Sequence, residues 1–175
     1  MSLENKVYSL APIIDINAKV LILGSMPGKE SLRMQQYYHN KRNHFWKIIF
    51  TLLNEEFTDD YETRKAIIKK HHIALWDVIK ECERDGSLDS EIRNEVVNDF
   101  ESLLATYPTI KLIGLNGTKA YQLFKKYIAK QLNPEIEMIK LPSTSPTPGK
   151  SVKTYEEKLQ EWSIIKSYLN EKGKE

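Results

Sequence analysis

The sequence predicts an α/β fold: a three-layer α/β/α sandwich in which helices cover both faces of a four-stranded, mainly parallel sheet. Three observations lead there. Four short, largely apolar runs, Val20–Gly24, His72–Trp76, Thr109–Leu115 and Ile136–Leu141, have the length of buried strands rather than of helices. Between them lie stretches whose apolar residues recur at three- and four-residue spacing, as on one face of a helix. Strands alternating with helices make right-handed crossovers and a parallel sheet. Finally, 175 residues with 41% hydrophobic content suit one domain, 1–175, large enough to bury a full core.

Each element has its own local reason. Tyr8 to Ile16 reads as an irregular or edge segment, because Pro12 lacks the N–H a central strand would use. Val20 to Leu23 is an uninterrupted apolar run that stops abruptly at Gly24-Ser25-Met26-Pro27-Gly28, a stiff, tight loop. From Asn43, in an N-cap position, Phe45, Trp46, Ile49, Leu52 and Leu53 repeat at helical spacing. Asp60–Lys70 reads as a short polar helix, and His72–Trp76 as the strand that delivers Asp77. Gly86-Ser87-Leu88 is a loop; Asp89 then caps a predicted helix with Ile92, Val96, Phe100 and Leu103 along one face, ending near Tyr107-Pro108. Thr109–Leu115 is the third strand, followed by Asn116-Gly117 and a helix through Ala120, Leu123, Phe124 and Tyr127. After Ile136–Leu141 comes a proline-stiffened loop, Pro142 to Gly149. Thr154-x-x-Glu157 is a capping box for a last helix that buries Leu159, Trp162, Ile165 and Leu169.

The candidate functional groups all fall just past strand carboxyl ends: Gly24–Gly28, Asp77, Asn116 and Ser143–Pro146. Open α/β sheets place their sites at that edge. Charge is distributed to match. The net formal charge is only +2, yet residues 25–50 carry +4 (five basic, one acidic) and residues 108–155 carry +6 (eight basic, two acidic). Residues 51–107 carry −7 (seven basic, fourteen acidic). Basic charge beside the candidate loops suits a face that tracks phosphates, although clustering on solvated helices produces the same count.

Other classes are disfavoured. No apolar run approaches the ~20 residues of a membrane span. The opening Met-Ser-Leu-Glu-Asn-Lys has no signal-peptide core, and a lone cysteine, Cys82, fits a reducing compartment, so a cytoplasmic protein is expected. His71-His72 lacks acidic or cysteine partners at ligand spacing, so no metal and no cofactor are expected. There is no phosphate-binding Gly-x-x-x-x-Gly-Lys-Ser/Thr loop.

Gly24-Ser25-Met26-Pro27-Gly28 followed by Tyr37-Tyr38-His39-Asn40-Lys41-Arg42-Asn43-His44-Phe45-Trp46 resembles the first motif of the uracil-DNA glycosylase superfamily. Asp77, Gly86-Ser87-Leu88-Asp89-Ser90 and Leu141-Pro142-Ser143-Thr144-Ser145-Pro146 bring the resemblance closer to its hypoxanthine branch, related to the mismatch-specific branch. The resemblance covers most of residues 20–151 and implies the same three-layer fold. It also implies a monofunctional enzyme, acting as a monomer on DNA, that flips out a deaminated base and hydrolyses its N-glycosidic bond. Hypoxanthine would come first, with uracil and xanthine as further substrates.

On this resemblance Asn43 looks like the asparagine credited with catalysis, though it also suits an ordinary helix cap. An amide orients water rather than acting as a base at neutral pH, so its help would be positional and electrostatic. Met26 stands where much of the superfamily has an aspartate or asparagine that handles the attacking water, and Leu141 where some branches have histidine or asparagine. Asp77 ends its strand where relatives read the base edge with asparagine. As an ionised acceptor it would favour the ring N–H of hypoxanthine or uracil over the lone pair of adenine, unless it is only a cap or ion-pair partner.

Gly24, Ser25, Met26, Tyr38 and Asn116 are the other candidates to line the base. One of Tyr37 and Tyr38 is expected to stack on it and the other to join the core. Pro27, Gly28, His39, Lys41, Arg42, Ser143, Thr144 and Ser145 are candidates to hold the DNA backbone; for the last three an ordinary turn is the alternative. Two rival functions remain: a non-catalytic lesion-binding module, favoured by Met26, and an enzyme of free nucleosides, disfavoured by the basic segments.

Overall fold

A computed structural model describes residues 5–146 and 152–169. In chain order the elements are β1 (Lys6–Tyr8), β2 (Val20–Gly24), α1 (Lys29–Met34), α2 (Phe45–Leu52), α3 (Tyr61–Lys70), β3 (Ile73–Asp77), β4 (Ile79–Glu83), β5 (Arg93–Val97), α4 (Phe100–Thr106), β6 (Leu112–Asn116), α5 (Thr118–Tyr127), β7 (Glu137–Leu141), α6 (Tyr155–Trp162) and α7 (Lys166–Leu169). The central sheet is parallel throughout, in the order β3-β2-β6-β7. Gly24 pairs with Asp77, Leu23 with Leu115 and Asn116 with Leu141, so the four carboxyl ends finish nearly level.

The topology follows from handedness. The connection from β2 to β3 runs to one side of β2, and those to β6 and β7 run to the other. Right-handed crossovers in opposite directions must place their helices on opposite faces. Side chains alternate accordingly. Val20, Ile22, Ile73 and Leu75 pack with Phe45, Trp46, Ile49 and Phe50 of α2 and Trp162 of α6. Leu21, Leu23, Ile113 and Leu115 pack with Phe100 of α4 and Leu123 and Phe124 of α5. Phe45, Phe50 and Trp162 are almost fully buried, each contributing about 1.5–3 kcal/mol. The sheet order reverses between β2 and β6, which is where a doubly wound sheet opens its crevice.

Several expectations need correction. No helix starts at Asp89: residues 89–91 form a single 3-10 turn, residues 93–97 are β5, and α4 begins at Phe100. Val96-Val97 is β-branched and finds an antiparallel partner in β4, while Asp99 caps α4 by accepting from the Ser102 N–H at 3.0 Å. That pairing outweighs the four-residue spacing of Ile92, Val96 and Phe100. A second, antiparallel sheet, β1-β4-β5, is therefore present beside the central one. The third strand starts at Leu112 rather than Thr109, whose hydroxyl instead donates to the Ala18 carbonyl at 2.6 Å. The N-cap of α2 is His44, not Asn43. Of the segment Tyr8–Ile16, Tyr8 ends the edge strand β1 and residues 9–16 are irregular, with Ile13 making an isolated bridge to Leu75. The capping box at Thr154 and Glu157 is formed in full. Residues 147–149 of the proline loop lie outside the described residues. Among the described residues no helix is long and apolar enough to cross a membrane.

Candidate active site

The level ends of β2, β3, β6 and β7 carry the site. Gly24 is glycine for lack of space: a Cβ there would sit 2.7 Å from Asp77 Oδ1 and 3.2 Å from the Tyr38 hydroxyl. The Asp77 carboxyl and the Tyr38 hydroxyl therefore both lie against the end of β2. Tyr38 is held in the left-handed region at φ 54°, a costly conformation for an aromatic residue and one that concentrates at functional positions. Its ring stacks on Phe45 at 4.1 Å, and its hydroxyl accepts from Asn116 Nδ2 at 3.3 Å. The same Nδ2 donates to Thr144 Oγ1 at 3.0 Å, while Asn116 Oδ1 accepts from the Thr144 N–H at 3.0 Å. The Thr144 carbonyl in turn accepts from the His44 N–H at 3.0 Å. The end of β6, the segment after β7, Tyr38 and the start of α2 are thus linked in one chain of bonds.

Asp77 is 3% exposed, and its Oδ2 is buried with no protein hydrogen bond. Its main-chain carbonyl accepts from Asn98 Nδ2 at 2.9 Å. Burial pushes the Asp77 carboxyl up to about 7, the nearby Asp89 charge pushes the same way, and Arg84 opposes them. The expected permanently ionised acceptor is therefore replaced by a carboxyl that is partly protonated near neutrality and can donate as well as accept. Asn43 Oδ1 accepts from the Phe45 N–H at 2.9 Å, so the side chain supports the start of α2 from one position before the cap. One lone pair of that oxygen and both amide N–H groups remain for other work.

The other predicted residues divide. Tyr37 is the core tyrosine: it is buried and its hydroxyl donates to the Ala11 carbonyl at 2.8 Å. Met26, 7% exposed, packs into the apolar layer with Leu21, Leu23 and Val78, so its side chain fills the core beneath the loop. Ser25 is also buried, and its hydroxyl donates to Asp89 Oδ1 at 2.6 Å. The Pro27 carbonyl is bound by Arg84, and Gly28 caps α1. His39 Nδ1 lies 3.2 Å from Glu30 Oε2, and its main-chain N–H donates to Ser31 Oγ. Lys41 and Arg42 are exposed on the same segment. Ser143 is exposed with its Oγ accepting from the Ser145 N–H at 3.1 Å, the mark of a local turn. Thr144 is 1% exposed, so its hydroxyl serves Asn116 within the protein.

Arg84 has no counterpart in the sequence reading. It is 3% exposed under the Gly24–Gly28 loop, and its only sequence signal is a single cation in the acidic run Glu81-Cys82-Glu83-Arg84-Asp85. Among the described residues no three His, Cys, Asp or Glu side chains stand together as a metal site requires.

A profile of the uracil DNA glycosylase superfamily matches residues 11–166, which spans all four strand ends. The chain belongs to that superfamily. Among the superfamily proteins it resembles is the hypoxanthine DNA glycosylase of Methanosarcina acetivorans, 44% identical over 109 residues, 62% of this chain and 69% of the relative. The hypoxanthine DNA glycosylase of Methanosarcina barkeri is 38% identical over 116 residues, 66% of this chain and 73% of the relative. The solution NMR structure of a candidate uracil DNA glycosylase from Methanosarcina acetivorans superposes with a TM-score of 0.79 at 34% identity, covering 94% of this chain and 98% of that one. The superfamily's hypoxanthine branch is thus where the sequence resemblance and these relatives agree.

Proposed function

We propose that this protein is a monofunctional DNA glycosylase that removes deaminated bases, hypoxanthine first, with uracil and xanthine as further substrates. It works as a one-domain monomer in the cytoplasm, without metal or cofactor. The observation that carries the reading is the Asp77 carboxyl held against Gly24 beside Tyr38, in a chain whose relatives are hypoxanthine DNA glycosylases.

The target nucleotide is flipped out of the helix, at a cost of a few kcal/mol that is least for mispaired bases. Tyr38, backed by Phe45, offers the face of its ring for stacking. Lys41 and Arg42 hold phosphates, as does the exposed Ser143 hydroxyl. Asp77 reads the base edge. In its neutral form the carbonyl accepts the ring N–H of hypoxanthine while the O–H donates to the adjacent ring carbonyl. That second bond also stabilises the charge that builds on the departing base. The ionised form keeps only the acceptor function, and so rejects adenine more strongly but opposes that developing charge. Asn43 positions the water that attacks C1′, because Met26 provides no polar group for it. Asn116 acts from behind, fixing Tyr38 and Thr144.

The test is base release. Purified protein is incubated with end-labelled duplexes carrying a single inosine, uracil or xanthine, followed by alkaline cleavage. Strand scission at inosine, absent from an undamaged control, is the expected result. Retention of lesion-containing DNA without release from any of the three would favour the non-catalytic binding module, for which the buried Met26 is the supporting observation.

A further inference from the structure

The segment that follows β4 grips the Gly24–Gly28 loop and the first residue of α1 at three points. Arg84 Nη2 donates to the Pro27 carbonyl at 2.5 Å. Ser87 Oγ accepts from the Lys29 N–H at 2.7 Å. Asp89 Oδ1 accepts from the Ser25 hydroxyl at 2.6 Å. Three residues within one six-residue stretch of the β4–β5 connection thus bind Ser25, Pro27 and the Lys29 amide at the start of α1, about sixty positions away in the chain. The arrangement is costly. Arg84 is 3% exposed, and its Nε and Nη1 are buried without protein partners. Apolar packing would serve stability at least as well as a buried guanidinium, so stability alone does not account for it.

The loop has little freedom before it disturbs Asp77, since a Cβ on Gly24 would already stand 2.7 Å from Oδ1. Asp89 and Arg84 also act on Asp77 from a distance, with opposite signs. We propose that Arg84, Ser87 and Asp89 are positioning residues for base excision, setting the Gly24–Gly28 loop against the Asp77 carboxyl and so fixing the fit of the flipped base. The proposal rests on the glycosylase reading of the site.

The experiment measures loop order and chemistry separately. Ser87→Ala removes the acceptor of the Lys29 amide without touching the Asp77 pocket. Amide exchange at Lys29 should quicken about tenfold, the loss of one hydrogen bond, while the Leu21 to Leu23 amides stay protected. Single-turnover release of hypoxanthine should slow by about tenfold with affinity for undamaged duplex unchanged. Asp89→Asn, which keeps an acceptor for Ser25, should retain far more of the rate than Asp89→Ala at pH 6. Faster exchange with an unchanged excision rate would make the contacts purely structural and overturn the proposal, as would unchanged exchange at Lys29. If the wild type releases no base, it is the glycosylase reading that fails, and the proposal falls with it even where Lys29 responds. Arg84→Lys serves as the third variant, because Arg84→Met is liable to unfold.

Discussion

Replacing Asp77 by asparagine keeps the shape of the side chain and removes its ionisation, so the consequences should depend on pH. The folded-state carboxyl is raised from 3.8 to about 7, chiefly by burial. At 1.36 kcal/mol per unit, roughly 4 kcal/mol separates the two protonation states across folding. The sign follows from proton counts. Between about pH 4 and pH 7 the folded protein binds more protons at Asp77 than the unfolded chain does, so stability falls as pH rises through that window. Below it both states are protonated, and above it the loss is complete. Between pH 5 and pH 8 the wild type should therefore lose about 3 kcal/mol relative to Asp77→Asn. Urea unfolding of both proteins at half-unit pH steps measures this directly. Excision by the wild type should follow the same ionisation: release of hypoxanthine slows as pH passes 7, while discrimination against adenine improves. Stability curves that run parallel from pH 5 to pH 8 would refute a buried, protonated Asp77. Excision profiles identical in wild type and variant would remove it from base recognition.

Other consequences are more local. Gly24→Ala places a methyl group 2.7 Å from Asp77 Oδ1, which should cost about 1–3 kcal/mol in thermal or urea unfolding and reduce excision sharply. Asn116→Ala removes three bonds to Tyr38 and Thr144, an expected loss of about 2–3 kcal/mol, with lesion binding weakened and undamaged-DNA binding unaffected. Neutralising Lys41 and Arg42 together should lower affinity equally for all sequences and flatten its salt dependence by a slope of about two, measured by fluorescence anisotropy. An unchanged salt slope would place the phosphate contacts elsewhere.

The central sheet was legible because β2, β3 and β6 are nearly continuous in apolar residues and end at breaks such as Gly24 or Asn116, while the more polar edge strand β7 runs straight into Pro142. The antiparallel sheet was not. Its strands are half exposed, β4 is interrupted by register shifts, and the β5 residues Arg93-Asn94-Glu95-Val96-Val97 show neither clean alternation nor an apolar run. The same gap explains the site residue that sequence reading missed, since Arg84 follows β4 and acquires meaning only when that strand brings it under Pro27. Asp77 and Asn116 were recognisable as strand-end polar residues. What they do was not, because the ionisation of Asp77 depends on burial and on Asp89, and the inward role of Asn116 depends on Thr144. Thr144 shows the limit most plainly: a Ser-Thr-Ser sequence reads as surface hydroxyls, yet its central residue is 1% exposed.

The most direct test of the account is single-turnover excision from a duplex carrying one inosine, comparing wild type with Asn43→Ala. Asn43 contributes one acceptor to the Phe45 N–H, so its loss should cost only about 1 kcal/mol of stability. The wild type should release the base rapidly, and the variant at least a hundredfold more slowly with lesion affinity retained. Release at equal rates would contradict a water-positioning Asn43, and no release by the folded wild type would contradict the glycosylase itself.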